Sequence, residues 1–168
     1  MARTTNFKGA PLELLGSEIK VGQTAPAFTV TGQDMADIQS SSFAGKTVVL
    51  SFVPSIDTPT CSVETKRFNQ EFDKLGKNAI CITVSMDLPF AQKRWCAAEG
   101  VEKIIVASDY KHQSAGKAYG AFIKDWGLDS RAIFVIDPSG KISHVQYVPE
   151  VSEEPNYAAV IDAAKATS

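Results

Sequence analysis

The segment that ends in Cys61 places a nucleophilic side chain at the start of a helix. An apolar, β-branched run at 47–53 predicts a buried strand, and the residues after it predict a helix. Thr58 is a favourable N-cap and Pro59 a favourable first helical residue, so Cys61 becomes the third residue of the helix. The backbone N–H groups of Thr60 and Cys61 have no helical partner there, and the helix dipole is positive. We therefore expect a thiolate rather than a thiol at Cys61.

A thiolate beside free N–H donors is suited to attack on an O–O bond. The sulfur attacks one oxygen, and the donors stabilise the charge that builds on the departing oxygen. The hydroxyl of Thr58, three residues before Cys61, can reach both the sulfur and a peroxide. Arg131 opens the predicted strand 132–136, and it supplies a fixed cation if that strand begins beside the helix start. Pro54 would wall the pocket and limit the entry of water.

The other two cysteines stand in different settings. Cys81 lies between Ile80 and Ile82 in a predicted strand, which is typical of a small buried side chain. Cys96 lies beside Trp95 on a predicted amphipathic helix, and the residues around it leave its role open. The cysteines lack C-x-x-C spacing, and the two histidines of the chain complete no zinc-ligand cluster. We therefore expect neither a metal nor a cofactor.

The composition is that of an ordinary globular domain. The chain has 168 residues, 44% hydrophobic and 21% charged, which predicts a single domain over residues 1–168. A net charge of −2 provides no basic surface for nucleic acid, and no apolar run approaches the ~18 residues of a membrane span. Three cysteines do not suit a disulfide-rich secreted domain, and no apolar stretch follows the N-terminus. The sequence predicts no nucleic-acid or membrane partner, and a location in the cytoplasm.

Periodicity predicts the elements that position these residues. Four apolar runs predict buried strands, at 47–53, 79–86, 103–107 and 132–136. Between the first two, Phe68, Phe72 and Leu75 recur at i, i+4 and i+7, so they share one face of a helix. A second helix is predicted over 89–98, between the second and third strands.

Turn residues and the remaining elements indicate the fold class. The segment 137–140 (DPSG) predicts a tight turn into an edge strand at 141–148, and a last helix is predicted at about 155–166. The first 30 residues predict a further hairpin. An order of β-α-β-α-β followed by β-β-α predicts a mixed sheet flanked by helices, with an antiparallel edge. The expected fold is α/β and thioredoxin-like, with an N-terminal β-hairpin extension.

Three segments resemble the peroxiredoxin family. The pattern P-x-x-x-T-x-x-C at 54–61 is similar to the peroxiredoxin active-site signature, and its full string, PSIDTPTC, resembles the bacterial thiol peroxidase branch of atypical two-cysteine enzymes. Residues 85–96 (SMDLPFAQKRWC) resemble the segment of that branch that ends in the resolving cysteine. Residues 130–137 (SRAIFVID) are similar to the arginine-bearing strand of the family. The resemblance extends over nearly the whole chain.

The resemblance implies a role for each site residue. Cys61 is implied to be the peroxidatic cysteine and Cys96 the resolving cysteine, and Pro54, Thr58 and Arg131 complete the pocket. Hydrogen peroxide and organic hydroperoxides would be reduced to water and alcohols, in antioxidant defence. Cys61 would become a sulfenic acid, Cys96 would convert it to an intramolecular disulfide, and thioredoxin would reduce that disulfide. The branch also forms homodimers.

Formation of that disulfide requires the two cysteines to come close together. A disulfide needs Cα atoms about 4.4–6.8 Å apart, whereas Cys61 begins one predicted helix and Cys96 lies near the end of another. We therefore expect one or both helices to unwind partly so that the sulfurs can meet.

Two other functions remain open at this point. A thiol–disulfide oxidoreductase of the same fold is one, although its two sulfurs normally stand at C-x-x-C spacing. A non-catalytic binding or holdase module on a thioredoxin-like scaffold is the other, because a fold does not determine a function.

Overall fold

Eleven strands and four helices are found in the computed structural model, which describes residues 2–167. The strands are β1 (Arg3–Phe7), β2 (Ala10–Leu15), β3 (Thr29–Thr31), β4 (Asp37–Gln39), β5 (Thr47–Phe52), β6 (Ala79–Ser85), β7 (Ile105–Ser108), β8 (Phe122–Ile123), β9 (Leu128–Asp129), β10 (Ala132–Ile136) and β11 (Ile142–Tyr147). The helices are α1 (Pro59–Glu71), α2 (Pro89–Glu99), α3 (Ala115–Ala118) and α4 (Tyr157–Thr167). Every strand and helix predicted from periodicity is present. None of the helices within residues 2–167 has the length and apolar character needed to cross a membrane.

A mixed sheet of seven strands forms the centre of the molecule, in the order β11-β10-β5-β6-β7-β3-β4. Strands β5, β6 and β7 are parallel, whereas β10 runs antiparallel to β5 and β11 antiparallel to β10. The parallel pairs need crossovers, which α1 and α2 provide. The predicted thioredoxin-like sheet with an antiparallel hairpin at its edge is confirmed.

The sheet is buried on both faces. On one face, Phe68 of α1 and Leu75 pack with no exposed surface. The predicted helix ends earlier than its spacing indicates, because α1 stops at Glu71 and a 3-10 turn at Phe72–Lys74 leads to Leu75. On the other face, Phe52, Tyr119 and Phe134 form an aromatic cluster, in which the rings of Tyr119 and Phe134 meet edge to face at 5.0 Å. Because both faces are covered, β5 and β10 are buried along their whole length and read as continuous apolar runs.

A second, smaller sheet contains the N-terminal hairpin. Its four strands have the order β1-β2-β8-β9, so the predicted hairpin of β1 and β2 is confirmed and β8 extends it. Strands β8 and β9 have two residues each, and β3 and β4 have three, which is too short for an alternating pattern to show in the sequence. The periodicity therefore did not predict these four strands.

The sheet brings three chain segments together at one edge. Strands β5 and β6 are parallel, so their carboxyl ends lie side by side, and α1 and α2 both begin just beyond them. Strand β10 is antiparallel to β5 and pairs Ala132 with Phe52, so β10 begins where β5 ends. The residue before β10, Arg131, is thereby placed at the same edge as the start of α1.

Candidate active site

Cys61 lies where the sequence predicts it, in the first turn of α1. Thr58 is the N-cap residue with extended backbone angles (φ −98°, ψ 150°), and Pro59 is the first helical residue. The Ser62 N–H donates to the Thr58 carbonyl at 3.0 Å and closes the first helical turn. The Cys61 side chain has no exposed surface. The sulfur therefore lies at the positive end of the helix dipole and is shielded from bulk water.

Arg131 contacts that sulfur directly. Its Nη2 donates to the Cys61 sulfur at 3.2 Å, and the residue is only 1% exposed. The same guanidinium donates from Nε (3.0 Å) and Nη2 (2.7 Å) to the Val151 carbonyl, and from Nη1 to a Glu64 carboxylate oxygen at 2.5 Å. These acceptors fix the plane of the guanidinium and hold it against the sulfur. The strand 132–136 does begin beside the helix start, which was the condition for this contact.

Glu64 is a site residue that sequence analysis missed. It has no exposed surface, and its second carboxylate oxygen accepts the Ser51 hydroxyl at 3.2 Å. Burial raises the pKa of Glu64 to about 7, against the opposing effect of Arg131. Proximity to Glu64 and Cys61 raises the pKa of Arg131, although burial opposes this. Two acidic groups thus share one buried cation.

A pattern in the sequence could have identified Glu64. It stands at i+3 from Cys61 and shares the buried stripe of α1 with Thr65 and Phe68. A carboxylate on the apolar stripe of a helix needs a cation opposite it. Arg131, at the start of the strand 132–136, is the cation that meets this requirement.

The other two predicted pocket residues lie in the loop between β5 and α1. Pro54 is buried there. Thr58 is exposed, and its hydroxyl donates to the Ser55 carbonyl at 2.8 Å. It makes no side-chain capping bond and no hydrogen bond with the sulfur, contrary to the expected reach of this hydroxyl. The hydroxyl instead closes a turn at residues 55–58.

Cys96 lies in the last turn of α2, with 7% of its surface exposed. The Gln33 side-chain amide donates to the Cys96 sulfur at 3.4 Å and to the Val106 carbonyl at 3.2 Å. Burial raises the pKa of the Cys96 thiol, and the bond from Gln33 partly offsets this. Cys96 is therefore held as a thiol against β7.

The structure does not bring the two thiols together. Cys61, Cys81 and Cys96 are all unpaired. Cys61 is bound by Arg131 at the start of β10, whereas Cys96 is tied to β7, three strand positions away in the sheet. The two thiols are thus held by contacts to different strands, and no disulfide joins them.

Cys81 is placed as its sequence setting predicts. It is buried in β6 within the apolar layer beneath the helices, and burial raises the pKa of its thiol far above the usual value. Within residues 2–167, no group of three or more histidine, cysteine or acidic residues is arranged to hold a metal ion.

The buried carboxyl of Glu64 predicts a dependence of stability on pH. Its pKa is higher in the folded chain than its usual value of 4.5, so the unfolded chain releases this proton first as the pH rises. The stabilising contribution is complete below pH 4.5 and is lost as the pH rises to about 7, with a slope of at most about 1.4 kcal/mol per pH unit. Urea unfolding measures this effect. Between pH 4.5 and about 7, the unfolding free energy of the wild type should fall relative to that of Glu64→Gln.

The exposed Glu102 provides the control. Glu102→Gln should leave the pH profile unchanged. A wild-type stability that rises relative to Glu64→Gln between pH 4.5 and about 7 would show instead that the folded chain favours the carboxylate form.

Comparisons with known proteins identify the family of the chain. The Redoxin family model matches residues 20–161. A thiol peroxidase of Oceanobacillus iheyensis is 50% identical over 155 residues, covering 92% of this chain and 94% of that protein, and one of Bacillus subtilis is 45% identical over 166 residues, covering 99% and 98%. The crystal structure of a peroxiredoxin-like protein from Aquifex aeolicus, 41% identical, superimposes with a TM-score of 0.93 over 100% of this chain and 99% of that one. The chain therefore belongs to the thiol peroxidases, the peroxide-reducing enzymes of the Redoxin family.

Proposed function

We propose that Cys61 is the peroxidatic cysteine of this thiol peroxidase and that Arg131 activates it. The observation that carries the proposal is the 3.2 Å contact between Arg131 Nη2 and the Cys61 sulfur. A guanidinium is permanently charged, and at this distance it stabilises a thiolate relative to a thiol. The first turn of α1 acts in the same direction, because its dipole is positive there.

The first step is the reduction of a hydroperoxide ROOH, in which R is hydrogen or an organic group. The Cys61 thiolate attacks one peroxide oxygen, an S–O bond forms and the O–O bond breaks. The sulfur becomes a sulfenic acid, and the departing oxygen takes up a proton to leave as water or an alcohol. The Arg131 guanidinium and the free N–H groups at the helix start stabilise the charge on that oxygen.

A peroxide reaches the buried sulfur only when the residues that lie over it move slightly. The Thr60 hydroxyl donates to the Ser152 carbonyl at 3.1 Å, which lays the segment after β11 over the start of α1. A peroxide enters when this segment or the loop at 54–58 shifts. Pro54 then walls the pocket, and rotation of the exposed Thr58 side chain turns its hydroxyl from the Ser55 carbonyl to the peroxide.

The second step regenerates the thiol. The Cys96 sulfur attacks the sulfenic sulfur of Cys61, an S–S bond forms and water leaves. The Cys61 sulfur is bound by Arg131 and the Cys96 sulfur by Gln33, and the two are not paired, so the start of α1, the end of α2 or both must unwind first. A dithiol protein of the thioredoxin type then reduces the disulfide and is itself oxidised.

The partners of the enzyme follow from its family and its surface. Thiol peroxidases need a peroxide and a thiol reductant, and we assign the reductant role to thioredoxin in the cytoplasm, where dithiol proteins keep cysteines reduced. Leu88 and Phe90 are 51% and 65% exposed at the start of α2, and they support a homodimer of two 168-residue single domains. Antioxidant defence is the corresponding cellular role. Nucleic acid and membranes are not expected as partners.

Cysteine variants test the assignment of the two sulfur roles. Wild type treated with one equivalent of hydrogen peroxide should lose two hydrogen atoms by mass spectrometry, with Cys61 linked to Cys96. Cys61→Ser should consume no peroxide. Cys96→Ser should reduce one equivalent and then fail to cycle with thioredoxin.

Cys81→Ser is the matched control, because Cys81 is equally buried but lies in β6, whereas the Arg131 hydrogen bond goes to Cys61. It should cycle like the wild type. Peroxide consumption by Cys61→Ser, or sustained cycling by Cys96→Ser, would overturn the corresponding assignment.

An Arg131 variant tests the activation of the sulfur. Arg131→Gln removes the cation beside Cys61, and we expect the second-order rate constant with peroxide to fall by about 10²–10³-fold. Arg67→Gln removes a cation from the exposed side of α1, where it pairs with Glu71, and should leave the rate unchanged. Stopped-flow fluorescence measures both rates. A rate within about twofold of wild type in folded Arg131→Gln would exclude the guanidinium as the activating group.

A further inference from the structure

Asp87 joins the loop that precedes Cys61 to the helix that carries Cys96. Its Oδ1 accepts the Ser55 hydroxyl at 2.7 Å, and its Oδ2 accepts the Ile56 N–H at 2.9 Å. Oδ2 also accepts the Ser85 hydroxyl at 2.6 Å, from the end of β6. Asp87 itself stands immediately before the N-cap of α2, Leu88.

On the Cys61 side, these bonds fix the turn that begins α1. Ser55 is the centre of that turn, because its carbonyl accepts both the hydroxyl and the N–H of Thr58, at 2.8 and 3.1 Å. Thr58 is in turn the N-cap of α1, whose third residue is Cys61. Release of Ser55 from Asp87 thus frees the helix start that holds the sulfur.

On the Cys96 side, the same carboxylate is braced against α2. The Gln92 side-chain amide donates at 3.0 Å to the Ser85 hydroxyl that binds Asp87, and at 2.8 Å to the Ala107 carbonyl of β7. Gln92 lies one helical turn before Cys96. The carboxylate is therefore bonded directly to the loop before α1 and, through the Ser85 hydroxyl, to Gln92 of α2. These are the two helices that the disulfide must bring together.

We propose that Asp87 is a positioning residue that holds the dithiol form of the enzyme and sets how readily the disulfide between Cys61 and Cys96 forms. This inference rests on the proposed function of these two cysteines. Two of its bonds, from the Ser55 hydroxyl and the Ile56 N–H, reach the loop before α1. They exist while α1 begins at Pro59, and they are lost when that start unwinds to reach Cys96. Asp87 thus stabilises the dithiol form over the disulfide form.

A carboxylate is the side chain that this position requires. Three donors converge on it, two hydroxyls and one backbone N–H, and an ionised carboxylate has only acceptor sites. Asparagine has the same size but keeps only one oxygen, and it carries no charge. With that oxygen toward the Ile56 N–H and the Ser85 hydroxyl, its NH₂ group faces the Ser55 hydroxyl, which can then no longer donate to residue 87. Asp87→Asn therefore weakens the bonds that join residue 87 to the loop before α1, while it leaves the side-chain volume unchanged.

The redox potential separates this role from a merely structural one. A substitution that weakens the fold equally in both redox states does not move the dithiol–disulfide equilibrium. Loss of a contact present only in the dithiol form shifts the equilibrium toward the disulfide. We expect a shift of about tenfold for Asp87→Asn, which corresponds to a potential about 30 mV more negative.

The experiment equilibrates the full chain with oxidised and reduced dithiothreitol and quantifies the Cys61–Cys96 disulfide by mass spectrometry. Asp87→Asn should show the tenfold shift, together with faster disulfide formation after one equivalent of peroxide. Ser55→Ala, which removes one of the bonds on the Cys61 side, should shift the equilibrium in the same direction and should add little in the double variant. It also provides the test if Asp87→Asn does not fold.

Asp137→Asn is the matched control. Asp137 likewise accepts three bonds, from Ser139 N, Ser139 Oγ and Lys141 N, but in the turn between β10 and β11. It should lower the melting temperature and leave the potential unchanged. A potential within a few millivolts of wild type in both Asp87→Asn and Ser55→Ala, with the disulfide still forming, would overturn the role of Asp87. A wild type that forms no such disulfide would overturn the proposed function as well.

Discussion

The guanidinium of Arg131 lies between a sulfur and a carboxylate, and both depend on its charge. It donates to Cys61 at 3.2 Å and to Glu64, and the Val151 carbonyl fixes its plane. All of this takes place out of contact with bulk water, where an unpaired charge is costly. The fold therefore has to bring together the start of α1, the start of β10 and the segment after β11.

The pairing of β5 with β6 and β10 places these segments at one edge of the sheet. It places the starts of α1 and α2 next to each other, and the antiparallel β10 returns Arg131 to the same edge. The same arrangement binds Cys96 to Gln33 and β7, away from the Arg131 cation. If Cys61 and Cys96 have the proposed roles, the attack on peroxide and the formation of the disulfide are separate steps, because each thiol is held by a different partner.

The sequence predicts the parts of this site that depend on local patterns. Thr58 and Pro59 define where α1 begins and so place Cys61 in its first turn, and the apolar runs predict the strands that frame it. Contacts between distant segments are harder to predict. Glu64 lies 67 residues from Arg131, and the carboxylate of Asp87 meets Ser55 across 32 residues, so only the pairing of strands brings these groups together. The Thr58 hydroxyl differs for a local reason, because it donates to the backbone carbonyl of Ser55, three residues before it.

The ionisation of Cys61 is most directly measured by the ultraviolet absorbance of thiolates in the reduced protein at neutral pH. Burial raises the pKa of both Cys81 and Cys96, so neither contributes to that band. We expect a thiolate band in the wild type that is absent from Cys61→Ser. Identical spectra for the two proteins would mean that the sulfur beside Arg131 is protonated, and the proposed activation would be wrong.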